Sequence, residues 1–191
     1  ERPLTEKSDL NFDGQFDVLT IYREGRMIRK EIDTDYNGII DVIQKYSNGL
    51  IEEIESDQSG NGTIDTWEYY ENGKIKREGY FKEGKEDGKW IKYYMGGKVK
   101  GEGNFKDGKK DGVWTYWNAI GIKEKEVMYE NGVDTLWKYF NENGVITKAG
   151  KMEDGKEEGI WLFYDENGIK ERETEHRSGK EEGIYSLWHD N

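Results

Sequence analysis

Cysteine is absent from the 191 residues, which excludes a disulfide framework and any thiolate metal centre. Proline occurs once, as Pro3, so the chain lacks the proline-rich tracts typical of disordered regions. Only two histidines are present, His176 and His189, thirteen residues apart with no serine or acid at a recognisable catalytic spacing. They are expected to be exposed strand residues, not a general base or metal ligands. Hydrophobic residues make up only 33%, and no apolar run approaches the roughly 20 residues of a spanning helix. A deep core is therefore beyond this composition. The chain opens at Glu1 without methionine, which leads us to expect a processed leader or a trimmed end upstream.

What is abundant is charge, glycine and aromatic rings. Charged residues reach 37%, a profile that leans toward disorder, but aromatics reach 14%, with seven Trp and thirteen Tyr. Disordered acidic chains are poor in such rings, so rows of buried aromatics are expected instead. The net charge of −12 repels phosphate-coated partners, which argues against nucleic acid and anionic membrane surfaces. The charge is uneven. Residues 1–66 hold 15 acids against 7 bases, and the remaining residues hold 26 against 22.

A fixed period organises the chain. One glycine series falls at Gly25, Gly49, Gly73, Gly97, Gly121, Gly144 and Gly168, at intervals of 24 or 23. A second falls at Gly14, Gly38, Gly62, Gly84, Gly108, Gly132, Gly155 and Gly179. An aromatic series runs through Trp67, Trp90, Trp114, Trp137, Trp161 and Tyr185. The first glycines sit in turns such as Asn48-Gly49, Asn72-Gly73, Asn143-Gly144 and Asn167-Gly168, and Asn-Gly between alternating segments signals a hairpin. In Asp65–Tyr70, Trp67 and Tyr69 share one face while Thr66 and Glu68 take the other.

The expected fold is all-β, an elongated single-layer antiparallel meander of about eight 24-residue β-hairpin repeats. It comprises an N-terminal extension over 1–8 and one continuous repeat domain over 9–191, with acidic-loop repeats to 66. Glycines within strands, Gly79, Gly101 and Gly103, are expected to leave room for a neighbouring Trp ring.

The runs Gly103–Trp114, Phe81–Trp90 and Glu153–Trp161 resemble the bacterial MORN-variant repeat, which occurs in YwqK-like antitoxin proteins. The resemblance covers about residues 63–191 and implies a sheet of hairpins. The unit around Asn131–Trp137 departs from it, being one residue short and lacking the second glycine, and a local kink or bulge is expected there.

The first three units replace the later Gly-Lys turns with acidic loops: Asp9–Asp17, Asp33–Asp41 and Asp57–Asp65. Each reads D-x-[DNS]-x-[DN]-G-x-x-D. Oxygen ligands at the first, third and fifth positions, a glycine at the sixth and a carbonyl at the seventh suit Ca²⁺. The candidate ligands are Asp9, Asn11, Asp13, Gln15 and Asp17 in the first loop. They are Asp33, Asp35, Asn37, Ile39 and Asp41 in the second, and Asp57, Ser59, Asn61, Thr63 and Asp65 in the third. At the twelfth position stand Thr20, Gln44 and Glu68, so only the third loop keeps a bidentate-type acid. Strands flank these loops, so they are not EF-hands, and they resemble the calcium loops of integrin-type propeller blades. The alternative is that Asp, Asn and Gly serve only as turn formers. Glu157-Glu158 and Glu181-Glu182 recur at one repeat position and read as solvated turns rather than a catalytic pair.

The expected function is non-enzymatic: a protein-binding or scaffold repeat protein, Ca²⁺-stiffened in its N-terminal third. The alternatives are an antitoxin or immunity-type protein that masks a toxin, and a surface-anchored structural lipoprotein. The expected partner is another protein, with the chain a monomer or a weak homodimer through its sheet edges. An extracytoplasmic or surface-anchored location follows from the calcium reading, and a cytoplasmic one from the antitoxin reading.

Overall fold

The computed structural model describes residues 3–187, and within them the chain forms sixteen strands and no helix. It divides into two compact units, Glu1–Gly97 and Lys98–Asn191. The first unit holds β1 (Leu4–Ser8), β2 (Val18–Arg23), β3 (Arg26–Ile32), β4 (Val42–Ser47), β5 (Leu50–Ser56), β6 (Thr66–Glu71), β7 (Lys74–Lys82) and β8 (Lys85–Tyr93). Each strand pairs antiparallel with the next.

The second unit repeats the plan with β9 (Val99–Lys106), β10 (Lys109–Trp117), β11 (Lys123–Glu130) and β12 (Val133–Phe140). It continues through β13 (Ile146–Glu153), β14 (Lys156–Tyr164), β15 (Lys170–Arg177) and β16 (Lys180–Leu187). Here too pairing is antiparallel and sequential. The all-β hairpin meander read from the glycine period is the fold. Residues 4–8, expected as an extension, form β1 and pair with β2 along their length.

The turns explain the period. Asn48 and Asn72 carry φ of 52° and 51°, and the glycines after them are left-handed as well. That places both central residues where a two-residue hairpin turn needs them. Asn143 and Asn167 differ from expectation: only Gly144 and Gly168 are left-handed there. Those turns are longer and are held from the side. Asn141 Oδ1 accepts from the N–H of Asn143 and of Val145, each at 3.0 Å, and Asp165 does the same for Asn167 and Ile169.

One face of each unit carries the tryptophans. Trp90, Trp114 and Trp161 are fully buried (0% exposed), although a single sheet has no second layer to cover them. Two devices achieve this. A glycine sits opposite each ring: Cβ atoms added at Gly79, Gly103 and Gly150 would fall 2.3, 2.4 and 2.3 Å from the indoles of Trp90, Trp114 and Trp161. Each indole Nε1–H then donates to the carbonyl one residue past that glycine, on Tyr80, Asn104 and Lys151, at 2.9–3.0 Å. The expectation for Gly79 and Gly103 holds, whereas Gly101 makes room for Tyr116 and not for a tryptophan.

Outer cover comes from rings set edge-on, Phe81 on Trp90 and Phe105 on Trp114, and from long cations whose charged heads lie over the rings. Arg77 lies over Tyr69 and Trp90, Lys110 over Trp114, Lys125 over Trp137, and Lys148 over Tyr139 and Trp161.

The departing repeat behaves differently. Val127 occupies the place of the cradle glycine opposite Trp137. That ring is only half-buried, and its Nε1–H donates to Asp134 Oδ2 at 2.6 Å. A bulge is present as expected, with one extra residue on β12, where the register passes from Met128↔Leu136 to Tyr129↔Asp134. The regular hairpins carry two, as between Gly79↔Trp90 and Phe81↔Glu86. The missing glycine is the reason, since Gly88 of the regular hairpin takes a left-handed φ of 84° at its bulge.

Candidate functional site

The three acidic loops join β1 to β2, β3 to β4 and β5 to β6, all at one edge of the first unit. They stack in order. The N–H of Asp33 donates to the Asp17 carbonyl and that of Asp57 to the Asp41 carbonyl, both at 2.8 Å. Each loop is folded around its own carboxylates. Asp33 Oδ1 accepts from Tyr36 N at 2.8 Å and Oδ2 from Gly38 N at 2.7 Å. Asp9 takes Phe12 N and Gly14 N in the same way, and Asp57 takes Gly60 N and Gly62 N.

At the far end of each loop Asp17, Asp41 and Asp65 accept from N–H groups six and seven residues back. Asp17, Asp33 and Asp41 are buried, so these are internal struts. The Thr34 hydroxyl, against the opposing effect of burial and with help from backbone N–H groups, holds the Asp41 carboxyl below its usual value. Asp13 is likewise lowered, first by the Gln15 N–H and then by Asn11.

The second loop brings the most donors together. Carboxylate oxygens of Asp33, Asp35 and Asp41 lie within 4.8 Å of one another, the one grouping of three such side chains among the described residues. Ca²⁺ binds oxygens at about 2.3–2.6 Å, so two ligands of one ion lie at most about 5 Å apart. The grouping fits that span. Asn37, whose Nδ2 donates to Asp35 Oδ2 at 2.9 Å, stands beside it. Glu68, the twelfth-position acid of the third loop, is not gathered with Asp57 and Asp65; it accepts from the Tyr70 hydroxyl on β6.

The loops also present apolar side chains. Phe12 is 89% exposed, and Leu10, Phe16, Tyr36 and Ile39 are exposed with it. Phe12 and Tyr36 both hold φ of 64°, a strained place for a bulky residue, where the third loop has Gly60 at 67°. This feature lay outside the acidic pattern, and only the backbone reveals it.

His176 is a correction. It is 5% exposed rather than an open strand residue, because it faces Gly159 across the strand pair and packs on Trp161 and Phe163. Its Nδ1 meets Thr174 Oγ1 at 3.2 Å and its Nε2 lies 3.1 Å from Glu157. Glu157 is accordingly no solvated turn residue; it also pairs with Lys148 at 2.6 Å. The other members of the recurrent pairs differ: Glu158 is half-buried, whereas Glu181 and Glu182 are exposed as expected, though on β16 and not in a turn. Glu158 accepts from Ser178 N, and Glu181 pairs with Arg172. His189 and the side chain of Tyr185 lie outside the described residues.

The family model described as "MORN repeat variant" matches residues 68–83, 86–107 and 157–177. The chain thus carries MORN-variant repeats at these stretches, which lie within residues 63–191, the span whose runs resemble that repeat. The matches stop short of the acidic loops. No curated protein matches the sequence significantly. Among solved structures, one match is the crystal structure of a mutant of S. aureus TarM in complex with Fondaparinux, alpha-GlcNAc-glycerol and UDP. It is 12% identical, with a TM-score of 0.23, over 74% of this chain and 21% of that one. The chain therefore spans about a fifth of that protein.

Proposed function

We propose that the chain is a non-enzymatic repeat scaffold that binds another protein through the faces of its hairpin sheets. The observation that supports this is the row structure. Sequential antiparallel pairing sets side chains at fixed spacing along each unit, as in the row Tyr116, Lys125, Tyr139, Lys148, Phe163 and Arg172. Such rows suit extended contacts with a macromolecule better than enclosure of a small substrate. A photo-crosslinking side chain placed at Tyr36 or at Tyr80 tests the reading. We expect one protein to be captured reproducibly and to form a stoichiometric complex when purified. Failure at both positions, or substrate turnover by the isolated chain, would overturn it.

We further propose that the second loop holds Ca²⁺ through Asp33, Asp35, Asn37, Asp41 and the Ile39 carbonyl, with the first and third loops as weaker sites. The grouping of Asp33, Asp35 and Asp41 supports this reading. The ion would tie the loop together rather than perform chemistry. Affinity at the weak end of the range, about 10⁻⁴–10⁻³ M, would fill it at extracellular calcium levels and favour an extracytoplasmic location. Calorimetric titration of the chelator-treated protein, repeated with Asp35→Ala, decides it. Heat in the parent that vanishes in the variant supports the site, and absence of heat in both reduces the loops to turns.

A further inference from the structure

On the face of the first unit opposite the tryptophans, one row of paired residues runs Thr20, Lys30, Gln44, Ile54, Glu68, Glu78 and Ile91. At one step of this row two acids face each other: Glu68 on β6 is directly opposite Glu78 on β7. Like charges so placed destabilise a sheet, and here the flanking partners are Ile54 and Ile91, which supply no positive charge. Each carboxylate is held by a phenol instead, Glu68 by Tyr70 and Glu78 by Tyr93. These bonds orient the acids without bringing a positive charge to them. Among the described residues neither acid forms an ion pair.

The two acids open into a concavity of about 230 Å³, walled by Thr66, Tyr80 and Ile91, with Lys89 also lining it. At about 30 Å³ of liquid volume each, that is room for roughly eight waters, enough for an alkylammonium or guanidinium head with part of its stem. Tyr80 is 44% exposed, leaving ring surface on which a cation or its apolar stem can lie. Two carboxylates tied to phenols fall well short of the six to eight oxygens Ca²⁺ takes. An apolar wall beside paired acids suits an organic cation better.

We infer that this concavity receives the cationic head of a lysine or arginine side chain from a partner protein, held between Glu68 and Glu78 with its stem against Tyr80 and Ile91. The inference rests on the scaffold reading and names the partner's chemistry: a basic side chain projecting from an apolar surface.

The test is an amide NMR titration of the isotope-labelled full chain. The probes are N-acetyl-arginine methylamide and N-acetyl-lysine methylamide, with neutral N-acetyl-norleucine methylamide as control and a Glu68→Gln/Glu78→Gln double variant alongside. We expect saturable shifts at Glu68, Glu78, Tyr80 and Ile91 with the cationic probes only, and at least a tenfold loss of affinity in the double variant. Removing facing charges should leave that variant's melting temperature unchanged or higher, which separates lost binding from lost folding.

Equal shifts from the neutral probe, no shifts at these residues, or shifts that persist in the double variant would overturn the site. So would CaCl₂ producing the same shifts at lower concentration, which would make it a metal site. If a partner is captured yet the probes do not bind, this site fails and the scaffold reading stands. If the probes bind but no protein is ever captured, the scaffold reading fails, and with it the assignment of the cation to a protein.

Discussion

The indole of Trp90 lies over Gly79 of the adjacent strand so closely that a Cβ there would fall 2.3 Å from the ring. The same ring donates its N–H to the carbonyl of Tyr80 at 3.0 Å. A rigid, fully buried ring cannot step aside cheaply, so Gly79→Ala should destabilise the first unit by about 1–3 kcal/mol, the usual cost of overpacking. Gly96→Ala is the control within that unit. Nothing lies within 4 Å of its added Cβ and its φ is ordinary, so its effect should stay within about 0.5 kcal/mol. Urea unfolding of the two variants measures the contrast.

Phe12 spends its side chain in solvent while its backbone is left-handed. Left-handed geometry costs an L-residue about 1–2 kcal/mol, and the third loop avoids this with Gly60. Phe12→Gly should therefore stabilise the fold by about 1 kcal/mol, less whatever entropy the unfolded glycine gains. A thermal melt reads the sign. If the same variant weakens capture of a protein partner, the strain serves the exposed ring.

The Asp41 carboxyl is held below its ordinary value of 3.8, first by the Thr34 hydroxyl. A lowered folded-state pKa means the native form prefers the carboxylate. Its stabilisation is present above pH about 3.8 and is lost as pH falls through the folded value. Asp41→Asn should thus be less stable than the parent at neutral pH, and the gap should narrow below pH about 4. Urea midpoints measured from pH 7 to pH 3 give the profile. A gap constant with pH would mean that Asp41 acts through shape alone.

Lys148 places its ammonium 4.8 Å from the Tyr139 ring centre and 5.1 Å from that of Trp161, and pairs with Glu157. Lys148→Met keeps an apolar stem over Trp161 and removes the charge. We expect a loss of about 1–2 kcal/mol, smaller in 1 M salt because part of it is ionic. Chemical unfolding at low and high salt tests both parts.

The glycine and tryptophan periods, read in order, determine the hairpins, their sequential pairing and the glycine cradles at Gly79 and Gly103, though not the ring that Gly101 receives. A two-residue turn and an alternating strand are local objects, and each repeat states them again. The acidic loop pattern is equally local: Asp33, Asp35 and Asp41 come together because one short loop folds around its own N–H groups.

The structure alone decided what depends on register between strands. Which side chain stands opposite which is set by bulges of one or two residues; the short spacing at Asn131–Trp137 pointed to one of them, but not to the partners it brings together. That is why His176 proved buried, with Glu157 as its partner from the neighbouring strand. It is also why Glu68, legible from the sequence as a loop's twelfth residue and as a residue on the strand face away from Trp67, turned out to face Glu78 on the neighbouring strand.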